Sequence, residues 1–208
     1  MVNSNLRTKI IEAALVLFEK HGYHGVTVNQ IIKVAGTSKG GFYHHFTSKD
    51  ELLYVIHDTF ITYVLEKATL AKETYHSPTK QLQAILKEFV KVFDLYKPHI
   101  TVFYQENIYL RPQYEKQIKK KRDQFKQMIS DVIHEGKHRG EFRSTIDIEI
   151  TTMAILGIVN WTYMWYDPAG QKTIDDISEI FIDLIFHAIL QEDIGEPNQS
   201  ALIKKDFC

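Results

Sequence analysis

The segment GTSKGGFYHHFTSKDEL, residues 36–52, decides how this sequence is expected to fold. Ser38 and Ser48 stand where the N-caps of two successive helices would stand. Gly40 and Gly41 lie inside the first of these helices, although a glycine costs a helix about 1 kcal/mol relative to alanine. We interpret the pair as a place where the backbone closely approaches another helix, a phosphate group or the edge of a base pair.

Helical periodicity continues on both sides of this segment, and strand signals are nearly absent. Thr27 with Gln30, and Ser48 with Glu51, have the spacing of capping boxes. The last but one helix is apolar nearly all round, so we expect it to be buried on more than one side. The predicted helices are 6–21, 28–35, 39–46, 49–74, one that starts at Ser77-Pro78, one between Pro98 and Pro112, 112–138, 146–166 and 174–189.

Charge is distributed unevenly along the chain. The 208 residues carry a formal net charge of -1, which divides into +3 over residues 1–50 and -4 over the remainder. A basic N-terminal part favours binding to a polyanion. Cys208 is the only cysteine, so no intrachain disulfide is possible, and the N-terminus lacks the apolar core of a signal peptide. These features predict a cytoplasmic protein.

The helices 28–35 and 39–46 and the turn between them form a helix-turn-helix, whose second helix enters the major groove of DNA. The paired glycines would remove side-chain bulk where this helix presses against the bases. Lys39 can reach a guanine edge or a phosphate, whereas Phe42 and Phe46 are expected in the core. The predicted DNA-binding residues are Thr27, Asn29, Ser38, Lys39, Gly40, Gly41, Tyr43, His44, His45 and Lys49.

The pattern over residues 7–53 resembles the DNA-binding domain of the TetR family of repressors. Two positions depart from it, because Ile32 stands where a small Ala is usual and Thr37 where Val is commonest. The matching positions are Phe18, Gly22, Thr27, Ile31, Ala35-Gly36, Ser38-Lys39-Gly40, Phe42-Tyr43, Phe46 and 49–52.

The resemblance implies an all-α fold. An N-terminal three-helix helix-turn-helix DNA-binding domain (1–50) would be joined by a long helix to a helical ligand-binding and dimerisation domain (51–190), and a polar, poorly ordered tail (191–208) would follow. It further implies a homodimeric repressor, not an enzyme, that binds a palindromic operator and needs no cofactor. We expect helices 146–166 and 174–189 of both chains to form a four-helix interface.

Residues 157–168 resemble the penultimate helix of TetR-type regulators that sense acyl-CoA thioesters. The implied effector is a small hydrophobic molecule, with a long-chain or aromatic acyl-CoA as the leading candidate and a drug-like or other lipophilic molecule as the alternative. Lys119, Lys120, Lys121 and Arg122 are candidates for binding the CoA phosphates. The predicted ligand-binding residues are Phe89, Phe93, Phe103, Tyr104, Ile108, Asn160, Trp161 and Trp165.

A third possibility is a zinc hydrolase, because His134, Glu135 and His138 match the H-E-x-x-H pattern. Gly136 lies inside this motif and Gly140 ends the helix soon after it, so the two histidines would stand on a fraying helix end. No third ligand follows at a recognisable spacing. We therefore expect no metal site here.

Overall fold

The computed structural model describes residues 5–191, except for the side chain of residue 107, and these residues fold into helices. The helices are α1 (Leu6–His21), α2 (Val28–Ala35), α3 (Lys39–His45), α4 (Lys49–Thr74), α5 (Pro78–Leu95), α6 (Lys97–Glu106) with a 3-10 turn (Asn107–Tyr109), α7 (Pro112–His138), α8 (Ile148–Asn160), α9 (Thr162–Trp165) and α10 (Ile174–Ile189). Over this range the only strand-like pairing is one isolated bridge. The all-α prediction is confirmed, while the tail beyond residue 191, with Cys208, lies outside the described residues.

Helices α1 to α3 form a small unit, which we call the head. At the start of α2, the side chain of Gln30 accepts a hydrogen bond from the Thr27 amide at 2.7 Å, which closes the expected capping box. Gly36 ends α2 in the left-handed conformation, with φ 61° and ψ 40°. Ser38 then caps α3 by accepting a hydrogen bond from the Gly41 amide at 3.0 Å. These local signals fix the helix-turn-helix.

The head has its own hydrophobic core. Phe42 and Phe46 are buried in it, as predicted, together with Phe18 of α1. Ile32 is half-buried against the same core, so the bulkier side chain at this position is accommodated at its edge. Val102 of α6 also belongs to this cluster, so α6 packs directly on the head.

Helices α5 to α10 form the body, and α4 connects it to the head. Leu53 and Ile56 of α4 lie in the head core, whereas Ile61 and Val64 of the same helix lie in the body core. The proposed domain boundary at residue 50 therefore falls at the start of a continuous helix and stays a prediction. Within residues 5–191, no helix combines the length and the apolar character that a bilayer span requires.

Two helices differ from their predicted extents. The helix expected between Pro98 and Pro112 ends at Glu106 and continues as a 3-10 turn. The helix expected at 146–166 begins only at Ile148, because Asp147 caps it by accepting a hydrogen bond from the Ile150 amide at 2.9 Å. It is divided at residue 161 into α8 and α9. Ile150 and Met153 are exposed in the single chain, so the expected burial of this helix on more than one side stays a prediction about the assembly.

Candidate functional site

One face of α3 carries four of the ten residues predicted to bind DNA. Lys39 and Tyr43 are one helical turn apart, as are Gly40 and His44, and all four are exposed. His45 is half-buried, with its ring centre 4.9 Å from that of His44. This face therefore presents a cation, a hydroxyl group and imidazoles, which are the groups that bind phosphates and base edges.

The two glycines of α3 have different structural roles. A Cβ atom on Gly41 would stand 2.4 Å from Oγ1 of Thr37 and 3.3 Å from Cδ2 of Leu6. A Cβ atom on Gly40 would meet only Oγ of Ser38, at 3.8 Å, which is an ordinary contact. The prediction that both glycines clear space for DNA is therefore corrected for Gly41. Gly41 packs inside the head, where a Cβ atom would have to displace Thr37 or Leu6, and only Gly40 leaves open space on the outer face.

The start of α2 carries two further residues that are predicted to bind DNA. Thr27 Oγ1 lies 2.8 Å from Oε1 of Gln30 and accepts a hydrogen bond from the Gln30 amide at 3.3 Å. Thr27 and Asn29 are both exposed at the N-terminus of this helix, which is a usual place for contact with the DNA backbone.

Lys49 is turned into the head instead of outward. Its Nζ donates hydrogen bonds to the carbonyl oxygens of Tyr23 at 2.8 Å and Val26 at 2.6 Å, and lies 4.1 Å from the centre of the Tyr23 ring. Burial lowers the pKa of Lys49. The side chain, which was expected to face DNA, joins α4 to the loop between α1 and α2, because these loop carbonyls lie within reach of its ammonium group. We call this contact the Lys49 tether.

A cavity of about 690 Å³ lies among α4, α5, α6, α7 and α8, within the size range of small-molecule sites. Phe89, Phe93, Phe103, Tyr104 and Asn160, all predicted to bind ligand, line it. The wall that α4 contributes was missed, although its apolar residues continue the helical periodicity of that helix. These additional lining residues are Phe60, Ile61 and Val64.

The α7 wall of the cavity is charged. Lys119, Arg122 and Lys126 line it at helical spacing, together with Glu115 and Asp123. In the described part of the chain, none of the three cations has a carboxylate partner within 4.0 Å. The Arg122 guanidinium lies over the Phe103 ring, 5.8 Å from its centre. An anionic group at the mouth of the cavity would find three donors there.

Two of the other basic residues of α7 do not line the cavity. Lys121 Nζ donates hydrogen bonds to Asp58 Oδ1 at 2.5 Å and Thr62 Oγ1 at 2.7 Å, so this side chain joins α7 to α4. Lys120 is exposed outside the cavity. Of the four cations predicted to bind an anionic head group, only Lys119 and Arg122 line the cavity.

Three residues predicted to bind ligand also lie outside this cavity. Ile108 is 75% exposed, Trp161 is 63% exposed and Trp165 is 47% exposed. Ile108 lies in the 3-10 turn, and the two tryptophans lie on the outside of the body where α8 gives way to α9. The periodicity of one helix could not indicate which of its faces would be covered.

The H-E-x-x-H segment serves packing and surface charge. Glu135 Oε1 accepts a hydrogen bond from Nε of Arg139 at 2.6 Å, while His134 and His138 are exposed. A Cβ atom on Gly136 would stand 2.3 Å from the Phe142 ring, so this glycine allows α7 to pack against the chain that follows it. Among residues 5–191, no three His, Cys, Asp or Glu side chains are arranged to hold a metal ion.

Two family models match the chain. The model described as "Bacterial regulatory proteins, tetR family" matches residues 10–55, which contain α2, α3 and most of α1. The model described as "Tetracyclin repressor-like, C-terminal domain" matches residues 75–189, which contain α5 to α10.

Similar whole proteins have also been described. The HTH-type transcriptional repressor KstR2 of Mycobacterium tuberculosis (strain H37Rv) is 23% identical over 195 residues, which are 93% of this chain and 96% of the relative. The structure of the ketosteroid transcriptional regulator KstR2 of M. tuberculosis matches with a TM-score of 0.81 at 23% identity, over 92% of this chain and 98% of that one. AibR, solved in complex with isovaleryl coenzyme A and operator DNA, matches with a TM-score of 0.74 at 21% identity, over 88% and 98% of the two chains. These structures share the fold of the chain.

Proposed function

Because this chain belongs to the TetR family of bacterial transcriptional regulators, we propose that it is a homodimeric repressor whose α3 binds a palindromic operator. A hydrophobic effector in the body cavity would release it. The observation that carries this proposal is a single helix, α4, that has one end in the head core and also lines the cavity. Residues 1–50 would bind DNA and residues 51–190 would bind effector and partner, in the bacterial cytoplasm. The relatives of the chain are regulators and not enzymes, so hydrolase activity is not proposed.

The homodimer is supported by an apolar surface that the single chain leaves uncovered. Ile150 of α8 and Ile180 and Leu184 of α10 are exposed, and these two helices pack against each other. Trp161 and Trp165 extend this surface beyond the end of α8. A patch of this kind marks an interface, and a second copy of the same pair of helices would complete a four-helix interface.

An acyl-CoA is the effector that the cavity favours. Its acyl chain would lie among Phe89, Phe93 and Phe103, and its phosphates would lie near Arg122 and the lysines on either side of it. A hundredfold release from DNA requires about 2.8 kcal/mol of differential affinity. Several buried methylenes, at about 0.8 kcal/mol each, can contribute that amount if they bind only one arrangement of the heads. The isovaleryl-CoA named for AibR supports the same class of ligand.

A lipophilic cation is the second candidate. Glu115 and Asp123 line the same wall as the three basic residues, so the wall also offers two carboxylates. A drug-like molecule with an apolar body and one positive charge would bind the aromatic residues and these acids. Glu115→Gln should weaken release by such a molecule and should not weaken release by an acyl-CoA.

The effector is tested with an operator that the wild-type protein selects from random-sequence DNA. We expect long-chain acyl-CoAs to release this duplex and free CoA, which lacks the buried tail, to leave it bound. Arg122→Gln should raise the acyl-CoA concentration required by about tenfold, since it removes a charged hydrogen bond. Lys120→Gln is the matched control, because Lys120 lies on the same helix outside the cavity. If free CoA releases the duplex as well as acyl-CoAs do, or if no acyl-CoA of any chain length releases it, the lipophilic cation is favoured as the effector.

A further inference from the structure

Asp50, at the start of α4, joins the head to the body. Its Oδ1 accepts a hydrogen bond from the Tyr23 hydroxyl at 2.8 Å, and its Oδ2 lies 2.6 Å from Nη2 of Arg111. Tyr23 belongs to the loop between α1 and α2, whereas Arg111 is the residue immediately before α7. One carboxylate therefore binds both parts of the molecule, and we call these three residues the latch.

On the head side of the latch, Tyr23 is buried and packed. The Tyr23 ring is buried and meets Phe18 of the head core edge-on at 5.4 Å, and it also stacks at 6.0 Å on Tyr109, in the 3-10 turn of the body. Burial, together with the hydrogen bond to Asp50, raises the pKa of Tyr23, so its hydroxyl remains a donor at neutral pH. The Lys49 tether holds the backbone carbonyl of the same tyrosine.

On the body side, the latch lies one helical turn from a residue that lines the cavity. Pro112 follows Arg111 at the first position of α7, where its ring fixes the backbone. Glu115, which lines the cavity, lies one helical turn after Arg111. Leu110 packs against both hydrophobic cores. A movement of α7 at the cavity would therefore reach the latch through one turn of helix.

We propose that the latch sets the angle of the head on the body, and thereby the distance between the two recognition helices of a dimer, with Arg111 as a positioning residue. The inference rests on the proposed DNA-binding function and adds the residues that determine half-site spacing. Two firmly held heads fit half-sites at one separation, about 34–36 Å or a multiple of it. Heads that tilt over a wider range would fit several separations, and binding at one of them would cost the entropy of fixing the tilt.

The test compares spacings on one operator. A duplex selected by the wild-type protein is altered by inserting or deleting one or two base pairs between its half-sites, and affinity is measured by fluorescence anisotropy. We expect the wild-type protein to bind its own spacing at least about tenfold more tightly, and Arg111→Gln to reduce this preference to about threefold or less. The dependence of affinity on salt should not change, because Arg111 is bound to Asp50. Tyr23→Phe retains the ring, removes only the hydroxyl, and should act in the same direction.

Arg139→Gln is the matched control, since it breaks another 2.6 Å ion pair at the opposite end of α7 and should retain the wild-type preference. If Arg111→Gln and Tyr23→Phe both keep the wild-type spacing preference, the latch proposal is wrong. A salt slope that falls by about one unit in Arg111→Gln would make this residue a phosphate contact and would also overturn it. If the wild-type protein selects no DNA, the proposed function fails, and the latch proposal fails with it.

Discussion

At the scale of single residues, the two glycines of α3 are expected to differ in role, because Gly41 affects packing inside the head and Gly40 affects contact with DNA. Gly41→Ala places a Cβ atom against Thr37 and Leu6 at a cost of about 1–3 kcal/mol, which the better helix propensity of alanine offsets by about 1 kcal/mol, so we expect it to be less stable than Gly40→Ala. Gly40→Ala meets open space and should be neutral or stabilising by up to about 1 kcal/mol. Its operator affinity should nevertheless fall, because the added methyl group lies on the outer face. Urea titration and anisotropy measure the two effects, and equal losses of stability would contradict this division.

His57, which lies on α4, predicts how stability depends on pH. It is fully buried, its ring centre is 5.0 Å from that of Phe103, and neither ring nitrogen has a hydrogen-bond partner among the described residues. Burial lowers the pKa of His57 to about 3, and the Val102 backbone opposes this shift only in part. The folded protein keeps the ring neutral, whereas the unfolded chain binds a proton below about pH 6.5. The stability that the neutral His57 ring contributes is therefore complete above that pH and is lost as the pH falls towards 3.

The substitution His57→Leu tests this linkage. Stability of the wild-type protein should fall by up to about 1.4 kcal/mol per pH unit below pH 6.5 on account of this residue. The His57→Leu variant should lose this part of the pH dependence of stability. It should be no less stable than the wild type at pH 7.5, because two unpaired buried nitrogens are removed. His134→Gln, at an exposed position of α7, is the control. The same pH dependence in wild type and His57→Leu would exclude His57 as its source.

At the scale of helices, the Lys49 tether decides how α4 meets the head. Lys49→Met keeps most of the aliphatic stem and removes both hydrogen bonds to the loop carbonyls, so we expect a loss of about 1–3 kcal/mol in unfolding free energy. The salt slope of DNA binding should remain as in the wild type. Lys39→Met should show the opposite pattern, with unchanged stability and a slope lowered by about one unit. A reduced salt slope in Lys49→Met would show that Lys49 contacts a phosphate after all.

At the scale of the whole molecule, the uncovered surface of α8 and α10 predicts the assembly. Leu184 is 56% exposed in the single chain, so Leu184→Glu should leave the fold intact and place a charge in the proposed interface. Light scattering should then give the mass of one chain, and specific operator binding should be lost. Leu70→Glu, on α4 at 54% exposure, is the matched control and should remain dimeric. A stable dimer of the Leu184→Glu variant would place the interface elsewhere.

The helices and caps of the head could be predicted from the sequence, whereas the orientation of Lys49 and the position of Gly41 inside the head could not. Thr27 with Gln30, and Ser38 with the Gly41 amide, act between residues three positions apart, and Gly36 ends α2 through its own backbone conformation. Such interactions require no knowledge of the rest of the chain, since caps and periodicity are local. For the same reason the long helix α4 and the end of α7 agree with their predicted positions.

Only the tertiary structure decided which side of each helix meets the cavity, the core or the solvent. Asn160 lines the cavity and the adjacent Trp161 lies outside, although both belong to one apolar segment. Lys49 faces the Tyr23 carbonyl, 26 positions away in sequence, and not DNA. The sequence by itself determined most helix boundaries, because caps span a few residues, but it did not indicate that the segment 146–166 begins at Ile148 and divides at residue 161. The roles of these side chains depend on partners that only folding of the whole chain brings near.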